Sequence, residues 1–343
     1  MSFLSKDLGI DLGTANVVIY AEGKGIVLRE PSVVAVDKNT GKVLKVGAAA
    51  RNMLGRTPGN VVAVRPMQGG VASDYEMTQK MLTEFFHRIS RFSFVKPRVI
   101  ISVPSGVTSI EERAVVQIAQ EAGARRVYLI EESLAAALGA NLNFSGPDGH
   151  MVVDIGGGTT DIGVLTMNGL AQSSSIRVAG NTFDEAIIRY LRKKYGLLIG
   201  QTTAEDAKIM VGSVFERGEP VVTKIKGRDF KTGLAREMMV SSADMVEALR
   251  RPARQITDEI LSVLEQTTPE LVADIARNGI VLTGGGSQIW GIDKLITDRT
   301  GIACAVADDA DSCVAYGCGK SLSWINRMQE GPINIARRRL LKE

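Results

Sequence analysis

Two stretches of the chain repeat one unusual pattern, in which an apolar strand ends in aspartate and is followed by glycines and threonines. Residues 8–19 read LGIDLGTANVVI, and residues 152–163 read VVDIGGGTTDIG. A glycine-rich turn lets backbone N–H groups approach an anion without interference from Cβ atoms, and a threonine hydroxyl adds a donor. Mg²⁺ is bound by one or two carboxylates together with phosphates and waters. The pattern therefore predicts a phosphate cradle in which Asp11 and Asp154 share one Mg²⁺.

The repetition carries this argument, because one copy alone is compatible with an ordinary turn. The two aspartates lie 154 − 11 = 143 residues apart, which predicts two related half-domains that face each other across one polyphosphate. The glycines form neither the GxxxxGK[ST] of a P-loop nor the helix-opening GxGxxG of dinucleotide-binding proteins. Hydride-transfer chemistry therefore loses its main support in the sequence.

Two further groups of residues fit a nucleoside, and each has a plain structural alternative. The cluster LTGGGSQI at 282–289 follows a strand, so its backbone could lie flat against a base, or it could be only a tight turn before a helix. Glu205 and Lys208 share one face of a predicted helix, where such pairs are mostly surface ion pairs. A purine-nucleoside pocket would also need polar groups of this kind, but spacing alone does not distinguish the two readings.

Catalysis by this chain would have to use carboxylates and hydroxyls, because its two histidines and three cysteines lack the partners that a nucleophile requires. Glu131 and Glu132 end a predicted strand and precede an alanine-rich helix, and strand ends are where open α/β sheets bind ligands. Either carboxylate could orient or deprotonate a water in line with a terminal phosphate, with Thr159 or Thr160 helping to position it. The alternative is that the pair only supplies negative charge to the helix N-terminus.

Composition indicates an ordinary globular protein of more than one core. The 343 residues are 45% hydrophobic and 23% charged, with 41 Lys and Arg against 38 Asp and Glu. A net charge of +3 does not make nucleic acid a default partner. The cysteines show neither disulfide nor zinc spacing, and no apolar run reaches the length of a spanning helix. We therefore expect a reduced, cytoplasmic protein.

The elements that must position these residues alternate between strand-like and helix-like runs, which is the pattern of an α/β fold. Strands are predicted at 98–104, 126–130, 151–155 and 279–284. Stretches near 31–65 and 215–242 turn to short strands with glycine, proline and charge, and we interpret them as an insertion in each half. Capping boxes predict three helix starts, at Ser73 with Glu76, Ser109 with Glu112 and Thr182 with Glu185.

Six motifs, taken in order, resemble those of bacterial actins of the MreB/Mbl type, and the resemblance covers roughly residues 7–325. They read GIDLGTANVVIY, IISVPSGVTSIEERA, LIEESLAAALGANL, MVVDIGGGTTDIGVL, TAEDAKIMVGSVF and GIVLTGGGSQIWGIDKL. The resemblance implies the actin-like ATPase fold, with two lobes that each combine a mixed sheet, flanking helices and a smaller inserted subdomain. The first lobe would span 1–145, with an inner part at 1–30 and 66–145 and an insertion at 31–65, completed by 313–343. The second would span 146–312, with an inner part at 146–180 and 253–312 and an insertion at 181–252.

The resemblance also implies roles for individual residues around ATP and Mg²⁺. Glu132 and Thr159 would position the hydrolytic water, with Glu131 in reserve, and Asp11 and Asp154 would hold the metal through water. The nucleotide-binding residues would be Gly13, Thr14, Ala15, Asn16, Gly156, Gly157, Gly158, Thr160, Gly180, Glu205, Lys208, Gly284, Gly285 and Gly286. Ser133 and Asn181 depart from the family pattern, which puts the rate of hydrolysis in doubt more than nucleotide binding. We expect that rate to be slow.

Proteins of this family polymerise into paired protofilaments on the inner face of the membrane, where they organise wall synthesis and rod shape. The resemblance therefore implies as partners further copies of the chain, the membrane, and wall-elongation and membrane-anchor proteins, but no nucleic acid. Residues 91–99, RFSFVKPRV, place Phe92, Phe94 and Val95 between cations, which suits the surface of an anionic bilayer. The alternatives on the same fold are a heat-shock-type chaperone, which needs a separate substrate-binding domain, and a small-molecule kinase, which needs an acceptor pocket.

Overall fold

The structure, a computed structural model, describes residues 7–89 and 96–327. Strands and helices alternate through its first half, where the predicted strands at 98–104 and 126–130 are confirmed as β9 and β10. The elements of this half are β1 (Leu8–Leu12), β2 (Asn16–Ala21), β3 (Gly25–Pro31), β4 (Val34–Asp37), β5 (Val43–Val46), α1 (Ala48–Arg51), β6 (Val61–Val64), β7 (Met67–Gln68), β8 (Val71–Ala72), α2 (Tyr75–Ile89), β9 (Arg98–Val103), α3 (Ser109–Glu121), β10 (Arg126–Glu131) and α4 (Glu132–Gly139).

The second half has the same alternation and returns to the first half at its end. The predicted strands at 151–155 and 279–284 are confirmed as β11 and β17. The elements are β11 (His150–Ile155), β12 (Thr160–Thr166), β13 (Gly169–Ile176), α5 (Gly180–Tyr195), β14 (Leu197–Leu198), α6 (Gln201–Val211), β15 (Val222–Asp229), β16 (Ala235–Ser241), α7 (Ser242–Gln266), α8 (Pro269–Asn278), β17 (Ile280–Thr283), α9 (Ile292–Thr300), β18 (Cys304–Val306) and α10 (Cys313–Ser321).

The two halves build five-stranded sheets of the same design. One has the order β10-β9-β1-β2-β3, and the other has the order β18-β17-β11-β12-β13. In both, three consecutive strands form an antiparallel meander, and two later strands add in parallel beside the first one. Parallel strands need long crossover connections, which the helices between them supply. The repeated sequence pattern is therefore the first hairpin of each sheet.

Each half also carries a smaller antiparallel sheet of three strands. Its strand order is β5-β4-β6 in the first half and β14-β15-β16 in the second. The molecule is thus a mixed α/β protein with two sheet-containing lobes flanked by helices, as expected. The small sheets do not fix where one lobe ends and the next begins, so the predicted lobe boundaries stay a prediction.

Helices α4 and α10 lie between the two large sheets and cross each other closely. Their buried side chains form one apolar cluster with residues of β9, β10, β11 and β12. A Cβ atom added to Gly317 would lie 2.8 Å from Ala135 Cα, and one added to Gly139 would lie 2.8 Å from Cys313 Cα. The helices therefore meet backbone against backbone, which only glycine permits at these two positions.

The predicted capping boxes are wrong by one to three positions. Helix α3 is capped one residue earlier than expected, because Thr108 Oγ1 accepts from Glu111 N (3.3 Å) and Glu111 Oε2 accepts from Thr108 N (2.7 Å). Helix α2 begins after Asp74. Helix α5 begins at Gly180, where the first N–H groups donate to carbonyls of a distant turn, Gly180 N to Gly156 O (3.1 Å) and Asn181 N to Gly157 O (2.7 Å). The predictions concerned are Ser73 with Glu76, Ser109 with Glu112 and Thr182 with Glu185.

Candidate functional site

The turns of the two repeated hairpins face each other and are in contact. A Cβ atom added to Gly157 would lie 2.6 Å from Ala15 Cβ, and one added to Gly158 would lie 2.8 Å from Thr14 Cβ. Thr14 Oγ1 accepts from the N–H of Gly70, which fixes the first turn to a neighbouring loop (2.9 Å). No side chain fits between the turns, so the glycines are required by close approach of the two lobes.

One cavity opens beside these turns and gathers most of the residues predicted from the sequence. Its walls come from both lobes, and they include all three glycine clusters. The predicted residues that line it are Asp11, Gly13, Thr14, Ala15, Asn16, Glu132, Asp154, Gly156, Gly157, Gly158, Thr159, Gly180, Glu205, Lys208, Gly284, Gly285 and Gly286.

Two predicted residues do not line the cavity. Thr160 is buried with its Oγ1 donating to Val178 O (2.7 Å), because successive residues of a strand point to opposite faces. Glu131 is buried at the end of β10 and accepts from Ser105 Oγ (3.1 Å). The predicted membrane residues Phe92, Phe94 and Val95 lie outside the described residues.

The third glycine cluster packs against the end of β11. Gly284 has φ +80, a conformation that favours glycine, and a Cβ atom there would lie 2.6 Å from Ile155 C. Gly286 approaches the same residue, since its added Cβ would lie 2.6 Å from Ile155 Cγ2. This contact places flat, side-chain-free backbone in the wall of the cavity.

The two predicted metal-binding carboxylates are buried together. Burial raises the pKa of Asp11 to about 8, and the neighbouring charge of Asp154 adds to the effect. Burial also raises the pKa of Asp154 to about 7, against a lowering hydrogen bond from Thr283 Oγ1 (2.6 Å). Two carboxylates that resist ionisation in this way would be stabilised by a cation between them.

This donor set fits Mg²⁺ bound mainly through phosphates and waters. In residues 7–89 and 96–327, no group of three or more His, Cys, Asp or Glu side chains could hold a metal by itself. Mg²⁺ keeps several waters and uses one or two carboxylates, whereas a structural zinc site needs a closed set of protein ligands. Asp11 and Asp154 are therefore sufficient as protein ligands for a nucleotide-bound Mg²⁺.

Glu132 and Thr159 also line the cavity, and they contact each other. Thr159 Oγ1 donates to Glu132 Oε2 (3.5 Å), and both residues are buried. Burial raises the pKa of Glu132 well above its usual value, and the charges of Asp161, Asp11 and Asp154 add to it. Glu132 is therefore harder to ionise here than a carboxyl group in water.

Sequence reasoning missed Asp161, which lies behind this pair. Its Oδ1 accepts from Ser105 N (3.0 Å), and burial raises its pKa. Asp161 is the register partner of Asp154 in the β11–β12 hairpin, so it stands beside the predicted metal ligand. The motif itself carries the signal for Asp161, because this aspartate follows the glycine turn that Asp154 precedes and a hairpin brings such positions together.

The polar pair on α6 is held by residues that the sequence did not point to. Lys208 Nζ donates to Gly180 O (2.9 Å) and pairs with Asp184 Oδ1 (2.8 Å). Burial raises the pKa of Asp184 to about 6, although the charge of Lys208 lowers it. Glu205 receives hydrogen bonds from two arginines of the other lobe. These partners are distant in sequence, so local spacing gave no signal for them.

A sequence profile of the family described as MreB/Mbl protein matches residues 5–330. The chain belongs to the MreB/Mbl family. It is 49% identical to the cell shape-determining protein Mbl of Bacillus cereus over 325 residues, which cover 94% of this chain and 98% of the relative. It is 48% identical to the cell shape-determining protein MreB of Escherichia coli over 328 residues, which cover 94% of each chain.

Solved structures of similar fold include an MreB5 and a MamK. MreB5 of Spiroplasma citri bound to ADP has a TM-score of 0.89 and 39% identity, covering 95% of this chain and 98% of that one. The MamK double helical filament has a TM-score of 0.80 and 22% identity, covering 93% of this chain and 99% of that one, and this likeness concerns the fold alone. This member of the MreB/Mbl family therefore has the actin-like fold.

Both departures from the MreB/Mbl pattern lie near the cavity. Ser133 is buried directly after Glu132, with its Oγ 3.5 Å from Ser105 Oγ. Asn181 lines the cavity beside Gly180.

Within the described residues of this MreB/Mbl protein, no helix is long and apolar enough to cross a bilayer.

Proposed function

We propose that this protein binds and hydrolyses ATP and assembles into filaments that organise wall synthesis and rod cell shape. The observation that carries the proposal is the contact between two glycine turns, one from each lobe, beside a cavity with two buried carboxylates. Membership of the MreB/Mbl family supports it. So do two crystal structures of MreB5 of Spiroplasma citri, one bound to ADP and one bound to AMPPNP.

The two turns would hold the phosphates of ATP. The glycines of the two turns carry no side chain that would keep a phosphate away from the backbone, and Thr14 adds a hydroxyl where the turns meet. Asp11 and Asp154 would hold Mg²⁺, which neutralises phosphate charge when it is bound. The adenosine would lie against Gly284–Gly286, near Glu205 and Lys208.

Glu132 and Thr159 would act on the water that attacks the terminal phosphate. Thr159 donates to Glu132, and this contact would hold the carboxyl group beside the terminal phosphate. In this position Glu132 would orient the water and take its proton, while Thr159 would hold the geometry. Burial of both side chains excludes bulk water from this end of the site.

Assembly would follow from closure of the cleft around the nucleotide. Because the two lobes contact each other through the phosphate turns, binding at the cavity changes the surfaces that they offer to other copies. Filaments of paired protofilaments would lie in the cytoplasm on the inner face of the membrane, with Phe92, Phe94 and Val95 at its surface. Wall-elongation and membrane-anchor proteins would be the other partners.

Pelleting and electron microscopy of the purified protein test this proposal. We expect assembly with ATP and Mg²⁺, and loss of that nucleotide dependence in Asp154→Ala, since one of the two metal ligands is then missing. Liposome flotation with Phe94→Ser tests the membrane contact. Protein that remains monomeric under every nucleotide and lipid condition would contradict the filament, and flotation unchanged by Phe94→Ser would contradict the membrane residues.

A further inference from the structure

Two arginines of the first lobe donate to a carboxylate of the second lobe that lines the cavity. Arg51 ends α1 and donates to Glu205 Oε2 (3.2 Å). Arg65 follows β6 and donates to the same oxygen (2.9 Å). Arg51 also donates to Asp206 Oδ1 (3.1 Å), which places two cations against two carboxylates. These contacts join the subdomain of one small sheet to the subdomain of the other at the site. Arg51 and Glu205 are 154 residues apart in the sequence.

These ion pairs are shielded from solvent more than ordinary surface pairs. The side chains of Arg65 and Glu205 are 11% and 19% exposed, and that of Arg51 is 27% exposed. Partly buried pairs are screened by salt less than exposed ones, so their contribution persists at physiological ionic strength. Burial alone would lower the pKa of Arg51, but the charge and hydrogen bond of Glu205 outweigh it, so that pKa is raised.

The geometry leaves one oxygen of Glu205 for a ligand. Both arginines use Oε2, and within residues 7–89 and 96–327 no hydrogen bond to Oε1 occurs. Glu205 lines the cavity together with Lys208, near the glycine cluster that faces the proposed adenosine. A fixed carboxylate oxygen accepts hydrogen bonds, and the hydroxyl groups of a ribose are donors.

We propose that Arg51 and Arg65 are positioning residues that clamp Glu205 from the opposite lobe and thereby couple recognition of the ribose hydroxyls to closure of the cleft. This inference rests on the proposed nucleotide-binding function. Linkage makes the coupling reciprocal: a ribose held by Glu205 strengthens the clamp, and the clamp slows release of the nucleotide. The clamp therefore sets both ribose selectivity and the rate of nucleotide exchange.

The test compares ADP with 2′-deoxyADP and 3′-deoxyADP, in the presence of Mg²⁺, on protein kept monomeric. Calorimetry gives the affinity for each nucleotide, and rapid filtration after a chase with unlabelled ADP gives the release rate. For wild-type protein we expect at least one deoxy analogue to bind about tenfold more weakly than ADP, because a carboxylate oxygen then loses its donor. In Arg65→Gln and in the double variant with Arg51→Gln, we expect the ratio of the affinities for ADP and the deoxy analogue to fall towards one. We also expect ADP release to become about tenfold faster, which is within the usual range of coupling.

Arg56→Gln is the matched control, because Arg56 is an exposed arginine of the same subdomain, and it should behave as wild type. Arg65→Lys should restore part of the ribose preference, which a purely structural loss would not do. If circular dichroism shows that the double variant does not fold, the single variant Arg51→Gln decides whether the clamp exists. The Arg51 side chain is more exposed than that of Arg65, so its replacement disturbs the fold less. If wild-type protein binds ADP but the variants keep its ribose preference and its rate of ADP release, the clamp alone is overturned. Wild-type protein that binds no adenine nucleotide would overturn the proposed function as well.

Discussion

Glu131 and Glu132 are adjacent in the chain, but their carboxyl groups have different surroundings. Glu131 ends β10 and accepts from Ser105, while Glu132 opens α4 and lines the cavity with Thr159. Residue spacing placed both at a strand end without choosing between them, whereas the family resemblance put Glu132 first and Glu131 in reserve. The change from strand to helix between the two residues turns their side chains in different directions, and only Glu132 faces the proposed phosphates.

Glu132→Gln should leave nucleotide binding close to wild type and slow ATP hydrolysis by about 100-fold, the lower end of what general acid–base catalysis contributes. The amide keeps the size and the contact with Thr159 but cannot take a proton from water. Calorimetry with ADP and a phosphate-release assay with ATP measure the two effects separately. Equal loss of binding and hydrolysis would contradict this division of roles, and a larger loss of hydrolysis in Glu131→Gln would transfer the role to Glu131.

At the scale of elements, the two hairpins meet at the site through their turns rather than through their strands. Each β-hairpin forms locally, since its two strands pair antiparallel across a few glycines and threonines. The turns then meet across the lobes with no room for a side chain on Gly157 or Gly158. The start of α5 depends on the same feature, because its first N–H groups donate to carbonyls of the second turn.

Gly158→Ala should weaken nucleotide binding by at least about tenfold, or 1.4 kcal/mol. The new methyl group would lie 2.8 Å from Thr14 Cβ and 3.0 Å from Gly69 N, so the turns would have to separate. Calorimetric titration with ADP and Mg²⁺ measures the change. Gly169→Ala is the control, since its nearest contact would be Thr166 O at 3.9 Å in the next turn. If Gly158→Ala binds ADP with wild-type affinity, nucleotide binding does not require the contact between the two turns.

At the scale of the whole molecule, α10 ties the end of the chain back to the first lobe. It follows the last strand of the second lobe and packs across α4 in the apolar cluster between the two sheets. The helix that α10 crosses is the one that begins with Glu132. A change at the crossing should therefore affect both stability and the position of Glu132.

Gly317→Ala should destabilise the protein although alanine is the better helix former. Helix propensity favours the change by about 1 kcal/mol, whereas overpacking costs about 1–3 kcal/mol and more where backbone cannot move. The methyl group would lie 2.8 Å from Ala135 Cα, so overpacking wins and α4 is displaced. We expect a lower melting temperature by circular dichroism and slower ATP hydrolysis. Gly218→Ala, where an added Cβ meets nothing within 4 Å, is the control. A raised melting temperature in Gly317→Ala would contradict the close crossing.

The amino-acid sequence by itself determined the features that arise within a few residues of one another. These are the two aspartate–glycine hairpins, the third glycine turn, and the alternation of strands and helices, because backbone pairing and glycine turns depend on local residue types. It also pointed correctly to most of the residues that line the cavity, since three glycine clusters and their flanking aspartates are legible as motifs.

Only the tertiary structure decided which of these features meet. The contact of the two turns, the contact of Thr159 with Glu132, the partners Asp161 and Asp184, and the clamp of Arg51 and Arg65 on Glu205 join residues from separate elements. Such contacts depend on how two lobes pack against α4 and α10. No local pattern encodes that packing, because it is the sum of burial and steric fit over the whole core.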